Sequence, residues 1–289
     1  MMSVGLIKIL SLSISLSILA WAWPIETDAH EVGAPFSSAF IEPILLHHAH
    51  IEDEQRINLV GVKDFRAEER ERAAFASTLE LAVTWLDDFS FGSEIFIPFS
   101  NTGTVNDQFG LGDIEIQPIK YAFWNTQERV VTGAFSLTLP TGDESRGAGG
   151  ERTTLAGKLF VDQAFRNWYL GINAEYAVSV SGPMFSEAEI AAVIGYSFIG
   201  ETGEGVAPAR PNQPLVMSLM LEWVSESLLT GSEAGEHVMT LLPGFQLWHP
   251  ESNWKIRMGV GFPLGFDKEN DVAGHLQVGN HFDWVAFFQ

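Results

Sequence analysis

The chain has 289 residues, a formal net charge of -21 from 37 Asp plus Glu against 16 Lys plus Arg, and 46% hydrophobic residues. That hydrophobic share excludes a disordered acidic chain, and the charge excludes a protein built to neutralise nucleic-acid phosphates. The absence of Cys removes disulfides, thiolate metal sites and cysteine nucleophiles.

Lys8 precedes an apolar run, Ile9 to Leu19, that ends in small residues. This pattern predicts a secretory signal peptide over residues 1–29, cleaved after Ala22 or Ala29. The alternative is a retained N-terminal membrane anchor, for which the run is short against a ~20-residue span and interrupted by serine. Residues 30–56 carry no period and are expected to form a periplasmic N-terminal segment. Within it, LLHHAH brings His47, His48 and His50 together beside Glu52, Asp53 and Glu54. Imidazole and carboxylate suit a transition metal. No fourth ligand is fixed by spacing, and a solvated extension at a barrel mouth is the plainer expectation.

From residue 57 the chain alternates with period two, the pleat of a β-strand. A weak run covers 57–64. ASTLELAVTW sets Leu79, Leu81, Val83 and Trp85 against Thr78, Glu80, Ala82 and Thr84. Runs over 89–99 and 110–124 follow, and the second changes phase near Pro118, which predicts a bulge. VVTGAFSLTL and 153–165 lead to NWYLGINAEYAVSV, where Trp168, Leu170, Ile172, Ala174, Tyr176, Val178 and Val180 form one apolar face. Further runs cover 188–199, 214–224, 237–248, WKIRMGVGFPL at 254–264, and 274–285.

The total is about twelve strands, mostly long enough for the ~9–11 residues that a tilted strand needs to cross a bilayer. A closed barrel satisfies every backbone group without water. The connections mostly alternate between short and long, as in barrels with short periplasmic turns and longer external loops. Gly200 to Gln213 breaks that alternation. Trp85, Phe89, Trp124, Phe165, Trp168, Trp248 and Trp254 gather at the short turns like an aromatic girdle. A soluble β-sandwich or soluble barrel has no reason to collect tryptophans there. The expected fold is all-β: a transmembrane antiparallel up-and-down β-barrel of about twelve strands over 57–289, in a Gram-negative outer membrane.

Two motifs add a resemblance. QVGNHFDW at 277–284 resembles the last-strand signal read by the bacterial barrel-assembly machinery, an expected partner during biogenesis. GLGDIEIQPIKYAFW (110–124) followed by FSLTLPTGDESRGAG (135–149) resembles the outer-membrane transporters grouped with the meta-pathway of phenol degradation. The resemblance implies an export-targeted barrel and passage of small solutes, hydrophobic or aromatic among them. It brings no catalytic residue and no cofactor.

If the apolar face meets lipid and lipopolysaccharide, the other face lines a lumen. It carries Glu80, Glu94, Asp113, Glu115, Asp162, Glu175, Glu222 and Asp283 against Lys158, Lys255 and Arg257. Such charges either bias the pore toward cations and neutral solutes or simply pair within a wet interior. Phe96, Phe160 and Met220 share this face, as a track for an apolar solute or as packing for a plug. His237, His249, His275 and His281 lie on or near strands, but no spacing marks a nucleophile–base pair. The expected function is non-enzymatic passive transport, with a non-conducting structural or adhesive barrel as the alternative and a lipid-modifying barrel enzyme ranked after it.

Overall fold

A computed structural model describes residues 41–63, 73–86, 88–101, 110–143, 148–198, 215–249, 252, 254–264 and 272–281. The expected signal peptide and the 200–213 connection lie outside the described residues. The strands follow one another as a meander: β1 (Glu54–Lys63), β2 (Ala73–Thr84), β3 (Phe91–Asn101), β4 (Gly110–Leu111), β5 (Ile114–Asn125), β6 (Arg129–Leu139), β7 (Thr153–Phe165), β8 (Trp168–Ser181), β9 (Ser186–Ser197), β10 (Val216–Thr230), β11 (His237–His249), β12 (Trp254–Leu264) and β13 (Val272–His281). The two-residue β4 leads into β5, and both pair with β3, so the wall has twelve staves. Pairing is antiparallel throughout. It closes where β1 meets β13, with Ile57 opposite Val278 and Lys63 opposite Val272.

Closure leaves no free edge among the described strands, the condition for crossing hydrocarbon. The alternation read from the sequence decides which side faces out. Ile172 is 55% exposed and Tyr176 52%, whereas Asn173 between them is 4% exposed. Leu159, Leu170, Ile190, Leu219, Leu221, Met258 and Phe262 continue the exposed apolar band around the wall. No helix among the described residues is long and apolar enough to cross a membrane; the strands are the spanning elements.

The phase change in β5 is a bulge. Register slips between Ile116 and Ile119, so Pro118 and Ile119 both point outward, and Lys120 turns into the lumen. At the short turn after β2, Phe89 takes positive φ, and Asp88 accepts the Ser90 N–H (3.0 Å) and hydroxyl. Those bonds lower the Asp88 pKa. Trp85, Trp124, Phe165 and Trp168 are exposed at this end of the barrel, as an interfacial girdle requires. Trp248 is not part of it. It is fully buried and points inward, one residue out of phase with Leu247, and the Lys255 ammonium lies 5.9 Å from its ring centre.

Two boundaries differ from the sequence reading. β1 begins at Glu54 rather than at 57. Residues 41–53, expected in the periplasm, are packed inside the barrel. Ile41, Ile44, Leu46, Ala49 and Ile51 are buried there against Phe160, Tyr169, Ala191, Val193, Met220 and Leu242 of the wall. Burial of those isoleucines and leucines favours the lumen over water, at ~1.5–3 kcal/mol per large side chain.

Candidate functional site

Residues 41–53 form a plug without regular secondary structure, so the wall must satisfy their backbone groups. Glu222 of β10 takes three of them. Its Oε1 accepts the Ile44 N–H (2.7 Å), and its Oε2 accepts those of Leu45 (2.7 Å) and Leu46 (3.1 Å). Gln246 takes the Glu42 N–H (3.1 Å), and Asp162 takes that of Ala49 (2.7 Å). In return, Gln277 donates to the Ile44 carbonyl (2.6 Å), Asn173 to that of His47 (2.7 Å), and Thr132 to that of Ala49 (2.5 Å). These wall residues come mainly from the short-turn half of their strands, so the plug fills that half of the barrel.

The expected lumen residues divide by task. Arg257 bridges Glu42 of the plug to Glu54 of β1 (2.9 Å to Glu54), and Lys255 also pairs with Glu42. Glu94 holds Lys120 (2.6 Å) and accepts from Gln117 (2.7 Å); Glu80 pairs with Arg56. Lys158 sits between Glu115 (2.6 Å) and Glu175 (3.2 Å). Asp162 also accepts the Tyr169 hydroxyl (2.8 Å). These groups are paired with one another and with the plug rather than arranged as an open charged ring. Asp283 lies outside the described residues. Sequence reading missed Arg56, placed beyond the first strand, and Lys120, whose facing the bulge reverses.

Asp113 stands apart. It lies between β4 and β5 and clamps the loop after β6. Its Oδ1 accepts the Gly142 N–H (2.8 Å) and its Oδ2 that of Gly150 (2.7 Å), while the Asp143 N–H reaches the Leu111 carbonyl (2.8 Å). A Cβ on Gly142 would stand 2.5 Å from the Gly149 Cα and 2.8 Å from Asp113. The GLGD and LPTGD stretches are therefore two halves of one lock, and glycine is needed where the loop's two limbs meet.

The three plug histidines are inside the barrel, not in solvent. The His47 ring lies edge-on to Phe96, with centroids 5.2 Å apart, and near Phe160. His48 and His50 stack at 4.0 Å. Phe96, Phe160 and Met220 thus pack against the plug. The other half of the lumen holds a cavity of about 270 Å³ lined by Leu45, Val224, Val238, Pro263, Glu226 and His275, among others. Leu45 of the plug contributes to its wall. His237 and His249 instead accept or donate to a nearby serine at an exposed position, Ser227 (2.8 Å) and Ser252 (3.0 Å). Neither ring faces a carboxylate among the described residues. The His281 side chain lies outside them.

The family model described as "Putative MetA-pathway of phenol degradation" matches residues 71–223. Among solved structures, an outer membrane channel from Pseudomonas putida F1 superposes with a TM-score of 0.58 at 11% identity, covering 84% of this chain and 100% of that one. The NanC porin gives 0.49 at 11% identity over 78% and 99% of the two chains. LpxR from Salmonella typhimurium gives 0.48 at 8% identity over 79% and 100%. At these identities the likeness speaks to the fold alone. No curated protein matches the chain in sequence.

Proposed function

The chain belongs to the family described as the MetA-pathway of phenol degradation, and from that premise we propose that it is a plugged outer-membrane channel for small apolar or aromatic solutes. Transport is passive and non-enzymatic, with the short turns in the periplasm and the long loops outside. The observation that carries this reading is the joint between plug and wall. Residues 41–53 close the short-turn half of the lumen through side-chain hydrogen bonds, not strand pairing, so they can leave while the barrel stays closed.

The cavity beyond Leu45 has room for a solute of this size. A dry apolar cavity of about 150 Å³ holds a benzene, so about 270 Å³ accommodates a substituted ring. Glu189 and Glu226 among its lining residues disfavour anions. The filled half of the lumen favours a second reading, a barrel that conducts nothing. Planar-bilayer conductance and liposome swelling separate the two. Under the channel reading, Glu222→Gln raises conductance and uptake of phenol-sized solutes above wild type. If wild type and Glu222→Gln are equally silent while the plug is demonstrably released, the structural reading stands.

A further inference from the structure

The plug carries a cluster of donors that the transport reading does not use. One ring nitrogen each from His48 and His50 and a carboxylate oxygen of Glu52 lie within 4.8 Å of one another. His50 Nε2 is 3.1 Å from Glu52 Oε1, and His48 Nε2 is 3.7 Å from the same atom. Zinc binds nitrogen and carboxylate oxygen at ~2.0–2.2 Å, which sets neighbouring tetrahedral donors roughly 3.3 Å apart. The two separations bracket that value. Glu54, whose Oε2 is 3.6 Å from His48 Nε2, is paired with Arg257 (2.9 Å) and stands outside the group.

The other side of each ring is the second observation. His48 Nδ1 faces the His50 carbonyl at 3.0 Å, and His50 Nδ1 faces Asp162 Oδ2 at 3.3 Å. Both partners only accept, so each ring donates from Nδ1. That leaves both Nε2 atoms directed at a carboxylate, an arrangement that a cation between them completes. A backbone carbonyl or carboxylate behind each imidazole is how metal-binding histidines are oriented. The alternative groupings are neutralised by the protein itself: Glu80 and Glu94 by Arg56 and Lys120, Glu42 by Lys255 and Arg257.

We propose that His48, His50 and Glu52 form a binding site for a divalent transition metal of the zinc class inside the barrel, with Asp162 orienting His50. All three primary ligands belong to the plug, and Asp162 belongs to β7, so a bound ion ties the plug to the wall.

The test uses the untagged, detergent-folded full-length protein, stripped with a chelator and titrated with zinc chloride. Calorimetry and metal analysis are expected to give about one zinc per chain at micromolar affinity. The His48→Ala/His50→Ala double variant loses it, His47→Ala retains it, and Asp162→Asn weakens it about 10-fold or more. Heat-modifiable migration on SDS gels establishes that each variant is folded. If the double variant fails to fold, the wild-type His48 and His50 imidazole NMR signals give the reading instead, and both shift at stoichiometric zinc. Only millimolar binding, or stoichiometric zinc surviving the double substitution, overturns the proposal. The measurement involves no transport, so a silent channel leaves it untouched.

Discussion

Glu222 and Leu45 meet at 2.7 Å, the carboxylate of a wall strand accepting a backbone N–H of the plug. The same side chain takes the amides on either side, so one buried anion closes three donors of a segment that has no ladder of its own. Hydrogen bonds to a charged group contribute ~1.5–3 kcal/mol each. Glu222→Gln keeps the shape but turns an N–H toward donors that need an acceptor. We expect it to leave the barrel folded and release the plug. Limited proteolysis reads this as new cleavage within residues 41–53. Protection unchanged from wild type refutes it.

The facing of β8 makes a paired prediction. Ile172 points to lipid and Asn173 to the lumen. Ile172→Arg costs ~2–4 kcal/mol near mid-bilayer, visible as a lower urea midpoint for refolding into vesicles. Asn173→Arg has a different outcome from that of a residue lining open water. Asn173 donates to the His47 carbonyl at 2.7 Å, so a larger cation there collides with the plug. The expected result is a near-normal urea midpoint with raised conductance. Equal losses of midpoint for both would mean that the two faces are not distinguished by solvent.

The wall was legible in the sequence because alternation is a local signal that repeats along every strand. The family motif was legible too, although Asp113 could not be read as a clamp without knowing that residues 142 and 150 return to it. The plug was not legible. Thirteen or so residues without a period look like a linker, and several of their partners on the wall, Asn173 and Glu222 among them, are more than a hundred positions away. One overlooked trace was present. Glycines recur on the lumen face at Gly92, Gly195 and Gly244, where an inward side chain would be expected, and each lies under an isoleucine of the plug.

That trace yields a prediction about fit. A Cβ on Gly244 would stand 2.9 Å from Ile44 Cδ1 and 3.1 Å from the Met258 carbonyl. Gly244→Ala therefore presses on the one atom that Ile44→Val removes. Alone, each substitution loosens the plug, Ile44→Val by ~0.5–1.5 kcal/mol. Combined, they should relieve one another, with a coupling of ~0.5–3 kcal/mol of the compensating sign. Plug protection against protease, measured over the four-member cycle, reports it. Strict additivity would show that Ile44 does not rest on Gly244.

The lock at Asp113 sets the last expectation. Its two oxygens accept from Gly142 and Gly150, residues on opposite limbs of one loop. Asp113→Ala removes both acceptors and leaves two backbone donors to find water. Asp113→Asn keeps one carbonyl oxygen and turns an NH2 toward the other amide. Both variants should open the loop, with Ala the more severe, at ~1.5–3 kcal/mol for each charge-assisted bond lost. The barrel below is held by its own ladder, so heat-modifiable migration should persist. Amide hydrogen exchange at Gly142 and Gly150 is the direct measurement: both should quicken in Asp113→Ala and only one strongly in Asp113→Asn. Equal, slow exchange in all three proteins would mean that the loop is held by the Asp143-to-Leu111 bond and that the carboxylate is dispensable.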